Sequence, residues 1–185
     1  MDGSGLRGKL LLAAPTLVEP TFRRTVVLVL QHSAEGAFGL VLNRPSPASV
    51  ADALPGWEEP ASRPPAVFVG GPVEPQAAIC LAAVPGPLQP DGWRPITDRL
   101  GVLDLDGDPV LAAGAVTGLR VFAGYAGWSP GQLDEELAVG GWHVVRAVED
   151  DVFSDRPEQL WSAVLRRQIG PLALLSTFPA DPRLN

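Results

Sequence analysis

Thr25-Val26-Val27-Leu28-Val29-Leu30 is β-branched or apolar without a break. It is too short for a typical helix and has apolar side chains at both parities, so it reads as a strand buried on both faces and as the centre of the fold. Ser33-Ala34-Glu35-Gly36 then supplies turn chemistry, and Phe38 to Leu42 is a second apolar run. Together they predict a β-hairpin with His32 and Asn43 near its two ends, where these polar side chains could face each other.

The rest of the chain alternates short strands with loops and helix starts. Six prolines between Pro45 and Pro65 leave room for one short helix near Ser49 to Leu54 and otherwise predict a surface excursion over residues 45–66. Val67-Phe68-Val69 reads as a strand stopping at Gly70-Gly71-Pro72, Ala78 to Val84 as another, and Pro85 to Gly92 as a loop. Asp108-Pro109 is a capped helix start leading into Val110 to Val116. Leu119 to Ala123 reads as strand, followed by the Gly/aromatic turn Gly124-Tyr125-Ala126-Gly127-Trp128. Ser129-Pro130 starts a second helix, whose first turns carry Asp134, Glu135 and Glu136 at the positive end of the dipole. Trp142 to Val148 reads as strand. Asp155-Arg156-Pro157-Glu158 resembles a capping box before Leu160, Trp161, Val164, Leu165 and Ile169, which recur at helical spacing until Gly170-Pro171. Strands and helices without a regular βαβ rhythm place the chain in the α+β class.

At 185 residues, with 46% hydrophobic and 19% charged, the chain is expected to form one domain over 1–185, with residues 1–7 flexible. Its formal net charge is −7, and from residue 93 onward eight basic residues stand against thirteen acidic ones. No basic stretch exceeds Arg23-Arg24 or Arg166-Arg167, which disfavours direct nucleic-acid binding. The single Cys80 excludes an intrachain disulfide. The apolar run Leu10 to Ala14 is too short for a secretory or membrane segment. A cytoplasmic protein without membrane association is expected.

Gly127-Trp128-Ser129-Pro130-Gly131 matches the G-x-S-x-G nucleophile elbow between a predicted strand and a predicted helix. Pro130, however, has no N–H to give an oxyanion hole, and the only later histidine, His143, lies in an apparent strand. Ser129 reads better as a helix N-cap. Asp104-Leu105-Asp106-Gly107-Asp108 lacks the glycine and glutamate that a calcium loop needs and reads as a turn. No residues have metal-site spacing, and no metal or cofactor is expected. Gly70-Gly71-Pro72 offers backbone N–H groups to an anion or, more simply, ends a strand. Cys80 reads as a buried core residue. The Gly124 to Gln132 segment gathers a phenol, an indole and an amide at a helix start, which suits a ligand, although Tyr125 and Trp128 also suit the core.

Pro20, Phe22, Arg24-Thr25-Val26-Val27, His32, Gly36-Ala37, Gly39 and Asn43-Arg44-Pro45 form an ordered set that resembles the first signature of the bacterial YqgE/AlgH family. Gly70-Gly71-Pro72-Val73 and Gly124-Tyr125-Ala126-Gly127-Trp128 with Gly131-Gln132-Leu133 extend it, as do Trp142, Trp161 and Gly170. Asp134 departs from the glutamate found in many relatives. The resemblance implies a single compact α+β domain, with a barrel-like, bifurcated, mostly antiparallel sheet flanked by helices. It also implies a bacterial cytoplasmic setting and, through a link to alginate production, the label of transcriptional regulator; it carries over no catalytic residue.

Three functions are compatible with these features. The first is a non-enzymatic binding or regulatory protein that acts through a small-molecule or protein partner. Its surface would comprise His32, Asn43, Arg44, Gly70, Gly71, Tyr125, Trp128 and Gln132. The second is a hydrolase-like enzyme with His32 as acid or base, assisted by Asn43 or Tyr125. The third is a regulator that binds DNA directly, which the charge disfavours.

Overall fold

The computed structural model describes residues 5–179 and builds them around a ten-stranded sheet. Residues 1–4 of the stretch expected to be flexible lie outside the described residues; residues 5–8 form a turn whose Gly8 N–H donates to the Val29 carbonyl at 2.8 Å. The Leu10 to Ala14 run, read above only as too short for a membrane segment, forms β1 (Lys9–Ala13). Next come the two strands of the expected hairpin, β2 (Val26–Ser33) and β3 (Gly36–Val41).

The proline-rich stretch is more ordered than a surface excursion. It contains β4 (Pro45–Ser49), the short helix α1 (Val50–Ala53) capped by Ser49, and the buried side chains of Val50 and Trp57. Its prolines are tolerated because β4 pairs on one edge only, with β5 (Ala66–Val69). β6 (Val73–Ala83), β7 (Trp93–Pro95), β8 (Leu100–Leu103) and helix α2 (Pro109–Ala115), capped by Asp108 as expected, follow. β9 (Gly118–Trp128) then runs straight through Gly124 to Trp128, so that segment is the second half of a long strand and not a turn.

Helix α3 (Gln132–Ala138) and β10 (Trp142–Arg146) complete the path β10-β1-β2-β3-β9-β6-β8-β7. β10 stops at Arg146, short of the strand end expected at Val148, and α4 (Glu149–Val152) follows. α5 (Leu160–Arg166) is shorter than its hydrophobic spacing suggests: a 3₁₀ turn over 157–159 precedes it, Asp155 does not cap it, and Ile169 is exposed. α6 (Pro171–Leu174) packs on α5.

β2 is buried on both sides, as expected. Val26, Leu28 and Leu30 join Leu10, Leu12, Phe68, Phe122 and Trp161 in the core closed by α5, while Val27 and Val29 join Leu11, Ala126, Trp128 and Leu133 beneath α3. A third cluster, including Trp57, Cys80, Trp93, Ala112 and Val121, fills the space around β6, β8 and α2. Arg120 of β9 is buried on the opposite face of that strand from this third cluster, a feature that its apolar neighbours conceal in sequence. Its guanidinium lies 4.2 Å over the Phe68 ring and donates to the carbonyls of Val152, Ser154 and Arg63, with Nε left buried and unpartnered. Carbonyl acceptors and a π face make this buried cation tolerable. Desolvation still pulls it down to about 10.

The sheet divides at β9. One edge of β9 pairs with β6, with an irregularity between Val73 and Ala78. The other edge pairs in parallel with β5 at Phe122 and Ala123 and then antiparallel with β3 from Ala126 to Trp128. Gly70 joins the branches: its N–H donates to the Ala123 carbonyl at 2.9 Å and its carbonyl accepts from Val41 N–H at 2.8 Å. The crossing is so close that a Cβ on Gly70 would strike the Gly124 carbonyl, and one on Gly71 the Tyr125 backbone. Gly124 itself has φ +71°. A side chain there would place Cβ 2.5 Å from the Gly71 oxygen and 2.9 Å from that of Val73. Backbone atoms cannot swing aside as a flexible side chain can. Gly124→Ala should therefore lower stability by about 3 kcal/mol, combining left-handed strain with overpacking, as read by chemical denaturation.

Candidate functional site

The eight residues singled out from sequence fall into separate groups. Asn43 and Arg44 sit at the far end of the hairpin from His32. His32 pairs with Ala37, whereas the buried Asn43 accepts from Val26 N–H at 3.0 Å and donates to the Arg24 carbonyl at 2.8 Å. Six residues of strand put about 20 Å between the two ends, so Asn43 and His32 do not face each other. Arg44 donates to the Arg23 carbonyl. Both residues fix the entry into β2. Gly70 and Gly71 are buried at the sheet fork, packed against the backbone of Gly124 and Tyr125.

His32, Trp128 and Gln132 gather on the face covered by α3, where His32 Nε2 lies 3.6 Å from Asp134 Oδ1. Behind them is a network centred on Glu136, a residue seen in sequence only as part of an acidic run. Its Oε2 accepts from both indole N–H groups, Trp128 at 2.9 Å and Trp142 at 2.7 Å. Its Oε1 accepts from Gln132 Nε2 at 2.9 Å. Phe22 stacks on Trp128 and meets Trp142 edge-on. The spacing of Gln132 and Glu136, four apart on one helix face, was the available signal. Gln132 also caps the approach to α3, since its Oε1 accepts from Ser129 N–H at 3.0 Å. The cap residue is Gly131, with φ +77°, and not Ser129, because the turn over 129–131 displaces the helix start by two residues.

Tyr125 lies on the opposite face of β9, its ring edge-on to Phe38 with centroids 5.9 Å apart. Beside it opens a cleft of about 460 Å³. Phe38, Val73, Tyr125 and Gly127 contribute to its apolar part and Gln31, Ser33, Glu35 and Ser129 to its polar part, and Trp128 also borders it. The alternation of β2 explains why Gln31 and Ser33 line this cleft while the intervening His32 points to α3. The Ser33 hydroxyl donates to Glu35 at 2.7 Å and holds that carboxylate below its usual range, so Glu35 is an acceptor at neutral pH.

The other sequence motifs serve the fold. Asp104 accepts from Asp106 N–H at 2.9 Å and Asp108 from Val110 N–H at 2.8 Å, as a turn and a helix cap. Neither histidine hydrogen-bonds Ser129 among the described residues. Burial holds His143 below its usual pKa and pushes the Cys80 thiol up to about 12.

Two outcomes follow from this chemistry. Glu136→Ala leaves two indole donors without their acceptor and should cost about 2–4 kcal/mol, read by denaturation with a red shift of tryptophan emission. Because the folded Cys80 pKa lies above the unfolded value near 9.0, its stabilising contribution is present below pH 9 and lost between pH 9 and about 12. Native protein at pH 8 should thus resist thiol reagents that modify it at once in denaturant.

The AlgH-like family model matches residues 10–173. A UPF0301 protein of Streptomyces coelicolor is 50% identical over 186 residues, covering 98% of this chain and 96% of the relative. One from Thermobifida fusca is 46% identical over 194 residues, covering 100% and 98%. A crystal structure of a Corynebacterium diphtheriae protein superposes with TM-score 0.89 at 34% identity, covering 94% of this chain and 92% of that one. The solution structure of AlgH from Pseudomonas aeruginosa superposes with TM-score 0.70 at 28% identity, covering 98% of both. The half-barrel sheet, the glycine crossing at its fork and this agreement along almost the whole length have one reading: the chain belongs to the AlgH-like, UPF0301 family.

Proposed function

We propose that this protein is a binding protein that acts through a small-molecule or protein partner and holds it in the cleft beside Tyr125. The observation that carries this reading is the composition of the cleft. An aromatic pair, Phe38 and Tyr125, stands next to the Gln31 amide and the ionised Glu35, with no histidine in the lining. These groups recognise a flat apolar moiety carrying a hydrogen-bond donor or a positive charge. An acid–base role for His32 draws less support, since it lies outside this lining with Nε2 turned to Asp134. Direct DNA binding is likewise less well supported in a chain of net charge −7.

Gly127 provides the test. A Cβ there would meet Tyr125 and Val73 at 3.6 Å, ordinary contact, so Gly127→Leu fills the cleft without forcing the backbone. Aromatic amines such as tryptamine, screened by ligand-observed NMR, should bind the native protein. They should lose at least tenfold in affinity to Gly127→Leu and Tyr125→Ala at unchanged folding. Equal binding by all three proteins would refute the assignment.

A further inference from the structure

A second cleft, of about 570 Å³, lies where the start of β1, the β7–β8 turn and the end of β10 meet. Arg7, Lys9, Arg99 and Arg146 line it together with Asp98 and Glu149. These side chains leave a local excess of positive charge in a chain whose net charge is −7. Of the four cations, only Arg99 has a carboxylate within ion-pair distance among the described residues, Glu149 at 3.6 Å. Arg7 donates to a neutral carbonyl, that of Pro95.

The sheet register adds an independent observation. Lys9 and Arg146 are direct cross-strand partners in the β1·β10 pairing, and both are exposed. Like charges in that position weaken an antiparallel pair. An anion bound between them converts the repulsion into two attractive contacts. Guanidinium groups present forked donors to phosphate oxygens, and the ammonium adds a point charge.

We propose that this cleft binds a small ligand bearing a diphosphate group. Its volume suits a small molecule. A long nucleic acid is disfavoured, because four cations supply few of the phosphate contacts it needs and the acidic Glu149-Asp150-Asp151 segment adjoins the cleft. The diphosphate comes either as the free ion or as part of a nucleotide. The site is separate from the Tyr125 cleft, so Gly127→Leu leaves it intact.

The test is titration of the full-length chain at low ionic strength with inorganic pyrophosphate, a nucleoside diphosphate, sulfate and a single-stranded oligonucleotide. Binding is followed by amide shifts and by melting temperature. Pyrophosphate or the nucleotide should saturate the site, with sulfate far weaker, and should move the amides of Gly8, Lys9, Thr97 to Leu100 and Arg146 to Glu149. Tighter binding of the nucleotide identifies the nucleotide as the source, and equal binding the free ion. Lys9→Gln and Arg146→Gln should each weaken binding about tenfold. Lys9→Gln should also melt no lower than the native chain without ligand, since it removes the cross-strand repulsion, yet lose the rise in melting temperature that pyrophosphate gives. Non-saturating shifts, affinity unchanged in both variants, or binding of the oligonucleotide without either diphosphate would overturn the proposal.

Discussion

The architecture depends on two backbones crossing at a distance that admits no side chain. Where β5 enters between β3 and β9, the Gly70-Gly71 pair lies against Gly124 and Tyr125, and each glycine's missing Cβ is the space the other strand occupies. This contact lets one strand serve two partners on the same edge, the condition for a bifurcated sheet. The hairpin, the proline-rich β4–β5 arm and the β6–β8 wing all hang from that junction.

Charge is distributed along the same lines. Glu136 is a negative group held in place by two indoles and an amide, and it ties α3 to β9 and β10. At the opposite pole of chemistry, Arg120 is a positive group sunk beneath Phe68 and ringed by carbonyls, and it ties β9 to the segment around α4. Apart from these two sites, two of the clefts among the described residues contrast in character. One is aromatic with a carboxylate on its rim; the other is lined mainly by cations. A chain can hold such contrasting sites because screening and distance isolate their fields.

Much of the fold was legible in the sequence where period and apolar content agreed. The β2–β3 hairpin, α2 with its Asp108 cap, and the core helix with Trp161 belong to this group. Strands with weak local signal were not legible: β1 looked like a short apolar remnant, and β7 and β8 are too short to show alternation. Segment 124–128 misled because glycine favours turns, whereas Gly124 serves a crossing with Gly71, far earlier in the chain. The candidate site was legible only in part. Tyr125 and Trp128 line the cleft, whereas Asn43 is engaged at the base of the hairpin, Gly70 and Gly71 at the sheet fork, and His32 lies against Asp134.

By itself the sequence determined the α+β class, the family, and a central strand buried on both faces, because those follow from local periodicity and from motif order. Which residues share a surface was decided only by the tertiary structure. Strand alternation sends neighbours such as Gln31 and His32 to opposite faces, and the β1·β10 register brings together Lys9 and Arg146, which lie far apart in the chain. A cleft is a property of where strands end and cross, and no window of sequence contains both of its walls.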